Sequence, residues 1–130
     1  MVKLILITHG NLGESLLNTA SVICCCAKQN ITAFSISGKV NLGEIETKIR
    51  ESFTEYGTLI MVDSFGGTSS NVALKCSAGN DKVFVVCGVN LNMVLAALSN
   101  QDKLGVEELT AKVMCDGKKA ILEATGLIKK

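Results

Sequence analysis

The chain has 130 residues, with 13 Lys plus Arg against 12 Asp plus Glu and a formal net charge of +1, so it carries no broad charged footprint for nucleic acid or anionic lipid. Apolar residues make up 48% of it and its mean hydropathy is +0.38, yet no apolar run approaches the roughly 20 residues that cross a bilayer. Its size suits one domain with a substantial core, and no proline, Ser/Gly tract or repeat divides residues 1–130.

In chain order, Met1-Val-Lys leads into Leu4-Ile-Leu-Ile7, an apolar stretch too short for a signal peptide. Together with Ile31–Ile36, Leu59–Val62 and Val83–Cys87 it forms a set of short β-rich runs, most of them apolar throughout. Such runs belong to strands covered on both faces, as in a parallel sheet. A first helix is expected from about Leu12 to Ala27, with Leu12, Leu16, Ala20 and Ile23 as its apolar face and Glu14 suited to its first turn. A second carries the stripe Leu42, Ile45, Ile49, Phe53 and Tyr56, opened by an Asn41/Glu44 capping box and stopped at Gly57. Further helices are expected from Ser69 to Gly79, from Asn90 to Asn100, and through Val106, Leu109, Val113 and Ile121.

This alternation predicts an α/β fold: an open, mainly parallel four-stranded sheet in order 2-1-3-4, with helices on both faces. The C-terminal segment is the candidate for an extra edge strand.

The six cysteines do not read as a disulfide framework. Cys24, Cys25 and Cys26 are consecutive, and no C-x-x-C pair joins Cys76, Cys87 or Cys115. With a single histidine available as well, neither a metal site nor a cofactor is expected, and the thiols suit small apolar residues of a reduced, cytoplasmic protein.

In open sheets of this class ligands bind beyond the carboxyl ends of the strands, where strand order reverses. Three polar strand ends are therefore candidates: Thr8-His9-Gly10-Asn11, Asp63-Ser64-Phe65-Gly66-Gly67-Thr68-Ser69-Ser70-Asn71, and Gly88-Val89-Asn90. In order 2-1-3-4 the first two are neighbours, which brings His9 and Asp63 within reach of each other. His9 either closes a strand against nearby backbone or acts as a nucleophile, for which neutral imidazole is suited at ordinary pH. Asp63 either caps backbone amides or fixes the imidazole tautomer and stabilises the cation formed on attack. Gly66-Gly67-Thr68 stands before a helix, as an ordinary glycine turn or as an anion site of free amides. A nucleoside triphosphate is disfavoured, since neither glycine-rich nucleotide motif occurs and these loops lack Lys and Arg. One phosphoryl group on a histidine needs less charge.

With these markers in order along nearly the whole chain, the sequence resembles the mannose-type enzyme IIA components of the bacterial sugar phosphotransferase system. They are Thr8-His9-Gly10, Asp63-x-Phe65-Gly66-Gly67-Thr68 with Asn71, and Gly88-Val89-Asn90-Leu91 with Met93. The resemblance implies that His9 takes a phosphoryl group from the histidine-containing phosphocarrier protein and passes it to a IIB component, which serves a membrane IIC/IID complex. It further implies that Asp63 orients His9 and that Thr68 lies beside the phosphate. Gly66 and Gly67 are candidate phosphate binders with Thr68 from their place before a helix, and Thr8, Gly10, Ser69 and Asn90, at or beside the strand ends, are candidates for the rim of the site. A homodimer with exchanged or packed C-terminal segments is implied too. The family usually has Pro then Phe at Ser69-Ser70 and Pro at Asn92, so this chain departs from it by lacking an exposed aromatic and two rigid φ angles on the rim of the site. The donor subunit of the phosphoenolpyruvate-dependent dihydroxyacetone kinase has a similar domain, and a regulatory module that senses phosphorylation is the reading of a different class.

Overall fold

The unbroken apolar runs at 4–7 and 59–62 are explained by their place in the sheet. A computed structural model describes residues 1–24 and 30–129. Its elements are β1 (Lys3–His9), α1 (Leu12–Cys24), β2 (Ile31–Ile36), α2 (Leu42–Glu51), β3 (Thr58–Val62), α3 (Thr68–Ser77), β4 (Val83–Cys87), α4 (Leu91–Asn100), α5 (Val106–Lys119) and α6 (Thr125–Ile128). The four strands form one all-parallel sheet in the order β2-β1-β3-β4. β1 and β3 are central, so both their faces are covered and no polar alternation appears in them.

Alternate residues of these strands feed two cores. Leu4, Leu6, Leu59 and Met61 pack with Leu17 and Ala20 of α1, Val94 and Ala97 of α4, and Leu109 and Val113 of α5. Ile5, Ile7, Ile60 and Val62 pack on the opposite face with Ile49 of α2 and Val72 and Ala73 of α3. Helices therefore lie on both faces, as expected. By the same alternation Thr8 falls on the α1 side and His9 on the α3 side.

Three expectations about helices need correction. The buried face of α1 is Gly13, Leu17 and Ala20, with Leu12 and Ile23 exposed. Gly13 turns the helix: its N–H donates to Thr8 Oγ1 at 2.8 Å, and a Cβ on it would stand 3.0 Å from that oxygen and 3.3 Å from Leu6 Cβ. The expected continuation of α1 to Ala27, and Cys25 and Cys26 with it, lies outside the described residues. Asn41 does cap α2, accepting from the Glu44 N–H at 3.2 Å, but α2 ends at Glu51, before Phe53, Tyr56 and Gly57. Hydroxyls compete with the helix there: Ser52 Oγ donates to the Lys48 carbonyl, Thr54 Oγ1 donates to the Gly57 carbonyl, and Thr58 Oγ1 accepts from the Thr54 N–H.

Ile121 lies beyond α5 and is exposed. The C-terminal segment, the candidate extra edge strand, instead forms the short helix α6, whose first amides at Thr125 and Gly126 donate to the Glu123 carboxylate. Among the described residues the sheet has four strands.

Candidate functional site

The chain steps from β1 to β2 on one side and returns to β3 on the other, so the crevice between the ends of β1 and β3 is the point where strand order reverses. Ile7 pairs with Val62. The next residues of the two strands are Thr8 and Asp63, and His9 follows. That register brings the Asp63 carboxylate to His9.

Asp63 Oδ2 accepts two hydrogen bonds from His9, from its backbone N–H at 2.9 Å and from ring Nδ1 at 2.7 Å. Asp63 Oδ1 accepts from the Ser64 N–H at 3.1 Å. Ser69 Oγ stands 3.3 Å from His9 Nδ1. Burial pushes the Asp63 pKa up, but the hydrogen bonds from the His9 backbone, the His9 ring and Ser69, joined by the charge of the ring whenever it is protonated, outweigh it and hold the carboxyl below its ordinary value. Asp63 is thus an ionised acceptor, and the ring proton belongs on Nδ1. The lone pair of Nε2 is left for chemistry, on a side chain that is 53% exposed.

His9, Ile36, Ser37, Gly38, Val40, Leu42 and Thr68 line a cleft of about 300 Å³. Thr68 opens α3, and Gly67 at its N-cap offers no side-chain cap, so first-turn amides lack the acceptor that a capping side chain supplies. The positive end of the helix dipole lies at the same place. Gly67 closes on the ring: a Cβ there would sit 3.5 Å from His9 Cε1. Gly66 adopts φ +89, a conformation that glycine takes without strain. The turn is held by Ser70, whose Oγ accepts from the Gly66 N–H at 2.9 Å and donates to the Gly67 carbonyl at 3.0 Å. Gly10, at φ +54, turns the chain directly after His9. Its N–H donates to the Ile36 carbonyl at 3.2 Å, and its carbonyl accepts from Ser35 Oγ.

The structure thus gathers His9, Asp63, Gly67, Thr68 and Ser69, with Gly10 and Gly66 in the turns beside them. Two rim candidates sit differently. Thr8 is fully buried on the far side of the sheet, with its hydroxyl committed to α1. Asn90 caps α4, accepting from the Met93 N–H at 3.0 Å and donating to the Gly117 carbonyl at 3.0 Å. Sequence reasoning missed the wall at 36–42, although the expected strand order already put the end of the second strand beside His9.

A family model described as the fructose IIA component of the phosphotransferase system, EIIA-man, matches residues 3–114. The chain belongs to this mannose-type EIIA family. A fructose-specific EIIA component of Bacillus subtilis (strain 168) is 26% identical over 113 residues, 84% of this chain and 77% of that protein. Among solved structures, the mannose/sorbose-specific IIA subunit of Enterococcus faecalis is 29% identical with a TM-score of 0.77, over 94% of this chain and 93% of that one. The EIIA of Streptococcus agalactiae shares the fold at a TM-score of 0.87 and 21% identity, covering 97% of this chain and 99% of that one. Mannose-type EIIA proteins are phosphotransfer components of sugar uptake systems. Among the described residues of this EIIA chain, no helix is long and apolar enough to cross a membrane.

Proposed function

We propose that His9 is the phosphoryl carrier of a mannose-type IIA domain spanning residues 1–130, accepting the group from the histidine-containing phosphocarrier protein and passing it to a IIB component. The observation that carries this is the double hold of Asp63 on His9, 2.9 Å to the backbone and 2.7 Å to Nδ1, beside the uncapped start of α3. The Nε2 lone pair attacks the phosphorus of the donor's phosphohistidine. An N–P bond forms on His9 as the donor's N–P bond breaks, and the donor imidazole leaves with that electron pair. Asp63 stabilises the positive charge gathering on the His9 ring. The Gly66 N–H is held by Ser70 Oγ, so Gly66 shapes the turn. The Gly67 and first-turn amides of α3 and the Thr68 hydroxyl receive the phosphoryl oxygens, and a loose transition state asks for little beyond such alignment. Transfer to IIB is the same displacement with His9 as leaving group.

A sugar transporter is the favoured destination because the relatives named above carry fructose and mannose/sorbose designations. The reaction would take place in the cytoplasm, where the phosphocarrier works. Ile121, Leu122, Leu127 and Ile128 are all exposed, which supports a homodimer that covers the C-terminal segment. Phosphorylation by phosphoenolpyruvate, enzyme I and the phosphocarrier, read by intact mass in wild type and His9→Ala, tests the carrier role.

A further inference from the structure

Ser70 is the third residue of α3 and is completely buried, at 0% exposure, so its hydroxyl requires partners. It has two in the loop before the helix: Oγ accepts from the Gly66 N–H at 2.9 Å and donates to the Gly67 carbonyl at 3.0 Å. The arrangement resembles one half of a capping box. In the full box the third residue's side chain reaches back to the amide at the helix start, while the N-cap side chain takes the third residue's amide. Here the N-cap is Gly67, which has no side chain to return the bond. The loop is therefore tied from inside the helix, and the first-turn amides are left for an acceptor from outside.

That tie acts beside the nucleophile. A Cβ on Gly67 would sit 3.5 Å from His9 Cε1, the ring carbon bonded to Nε2. Gly66 holds φ +89 and needs holding, because a glycine backbone has many alternatives. Residues 8–11 and 63–71 include no Lys or Arg, so in these two loops amides and hydroxyls are the donors that meet a phosphoryl group. We propose that Ser70 is a positioning residue for phosphoryl transfer, its hydroxyl bridging Gly66 and Gly67 so that the amides at the start of α3 face the oxygens of a group on Nε2. The proposal rests on His9 as the phosphoryl carrier, and its test uses no donor protein.

Phosphoramidate is the probe. The Nε2 lone pair attacks its phosphorus, the new N–P bond forms as the bond to the amine breaks, and ammonia leaves with that electron pair. Diethyl pyrocarbonate, a neutral acylating agent, reads the same lone pair without a phosphoryl group. His9 is the only histidine, so intact mass follows the first reaction and the ultraviolet absorbance of acylated imidazole follows the second. Ser70→Ala should slow phosphorylation about tenfold, the upper range of one ordinary net hydrogen bond, and leave acylation at the wild-type rate. Ser70→Cys, close in volume but a weak donor and acceptor, should behave the same way, and it decides the matter if the alanine variant does not fold. A wild type that phosphoramidate fails to label, a folded variant that keeps the wild-type phosphorylation rate, or both rates falling together would overturn the proposal. A wild type labelled by phosphoramidate but not by the phosphocarrier would fault the carrier reading alone.

Discussion

A single oxygen, Asp63 Oδ2, accepts from both the backbone N–H and the ring Nδ1 of His9. The first bond places the residue and the second sets the ring, so one carboxylate fixes the position, tautomer and free lone pair of the proposed nucleophile. An amide cannot replace it. With its oxygen towards His9, its NH₂ meets the Ser64 N–H that now donates to Oδ1; with its NH₂ towards His9, it presents a donor to Nδ1. Either way the negative charge is lost. Asp63→Asn should slow phosphorylation by roughly tenfold or more, measured by phosphoryl incorporation over time. Unchanged kinetics in a folded variant would remove Asp63 from the mechanism.

The same carboxylate links stability to pH. Its folded pKa lies below the unfolded value, which is about 3.9 for aspartate. Its contribution is therefore fully present above that value and is lost as pH falls through the lower folded pKa. Denaturant unfolding should show the stability gap between wild type and Asp63→Asn at neutral pH, shrinking only below about pH 4. A gap that closes at neutral pH would contradict the hydrogen-bond assignment.

Thr68 lines the cleft with His9 and begins α3. Thr68→Val keeps shape and removes the hydroxyl, so phosphorylation should fall about ten- to a hundredfold, the range of one hydrogen bond to a charged group. Thermal stability should hold, since Thr68 is exposed. A wild-type rate would limit the phosphate site to backbone amides.

Gly57 tests the fold away from the chemistry. It has φ +97, and a Cβ there would stand 2.6 Å from Val106 Cβ in α5. Gly57→Ala combines backbone strain with overpacking and should destabilise by about 3 kcal/mol or more, read from the denaturation midpoint. A loss under about 1 kcal/mol would show that the loop relaxes freely.

The central strands were legible because burial on both faces leaves an unbroken apolar run, and the site followed from strand order, which makes the ends of β1 and β3 neighbours. What sequence could not show depends on contacts between distant elements or on hydroxyl geometry. Counting Gly13 as non-apolar hid the face that α1 turns to Thr8. The apolar stripe continued past Glu51 into Phe53 and Tyr56, while the hydroxyls of Ser52 and Thr54 ended the helix. Asn90 looked like a site residue by position, but its amide is committed to Gly117 of α5, 27 residues away. Ser69 could be named beside the site from its position, whereas its placement against His9 Nδ1 required the angle at which α3 leaves the loop.

The measurement that reaches the carrier role most directly is intact-protein mass spectrometry after incubation with phosphoenolpyruvate, enzyme I and the phosphocarrier protein. One phosphoryl group should appear, on His9. It should be lost in acid and survive base, because ring protonation lets imidazole depart as a neutral leaving group. His9→Ala should gain nothing, since the chain has no second histidine. No mass gain from a donor shown active on another IIA protein, or a gain that persists in His9→Ala, would contradict the account.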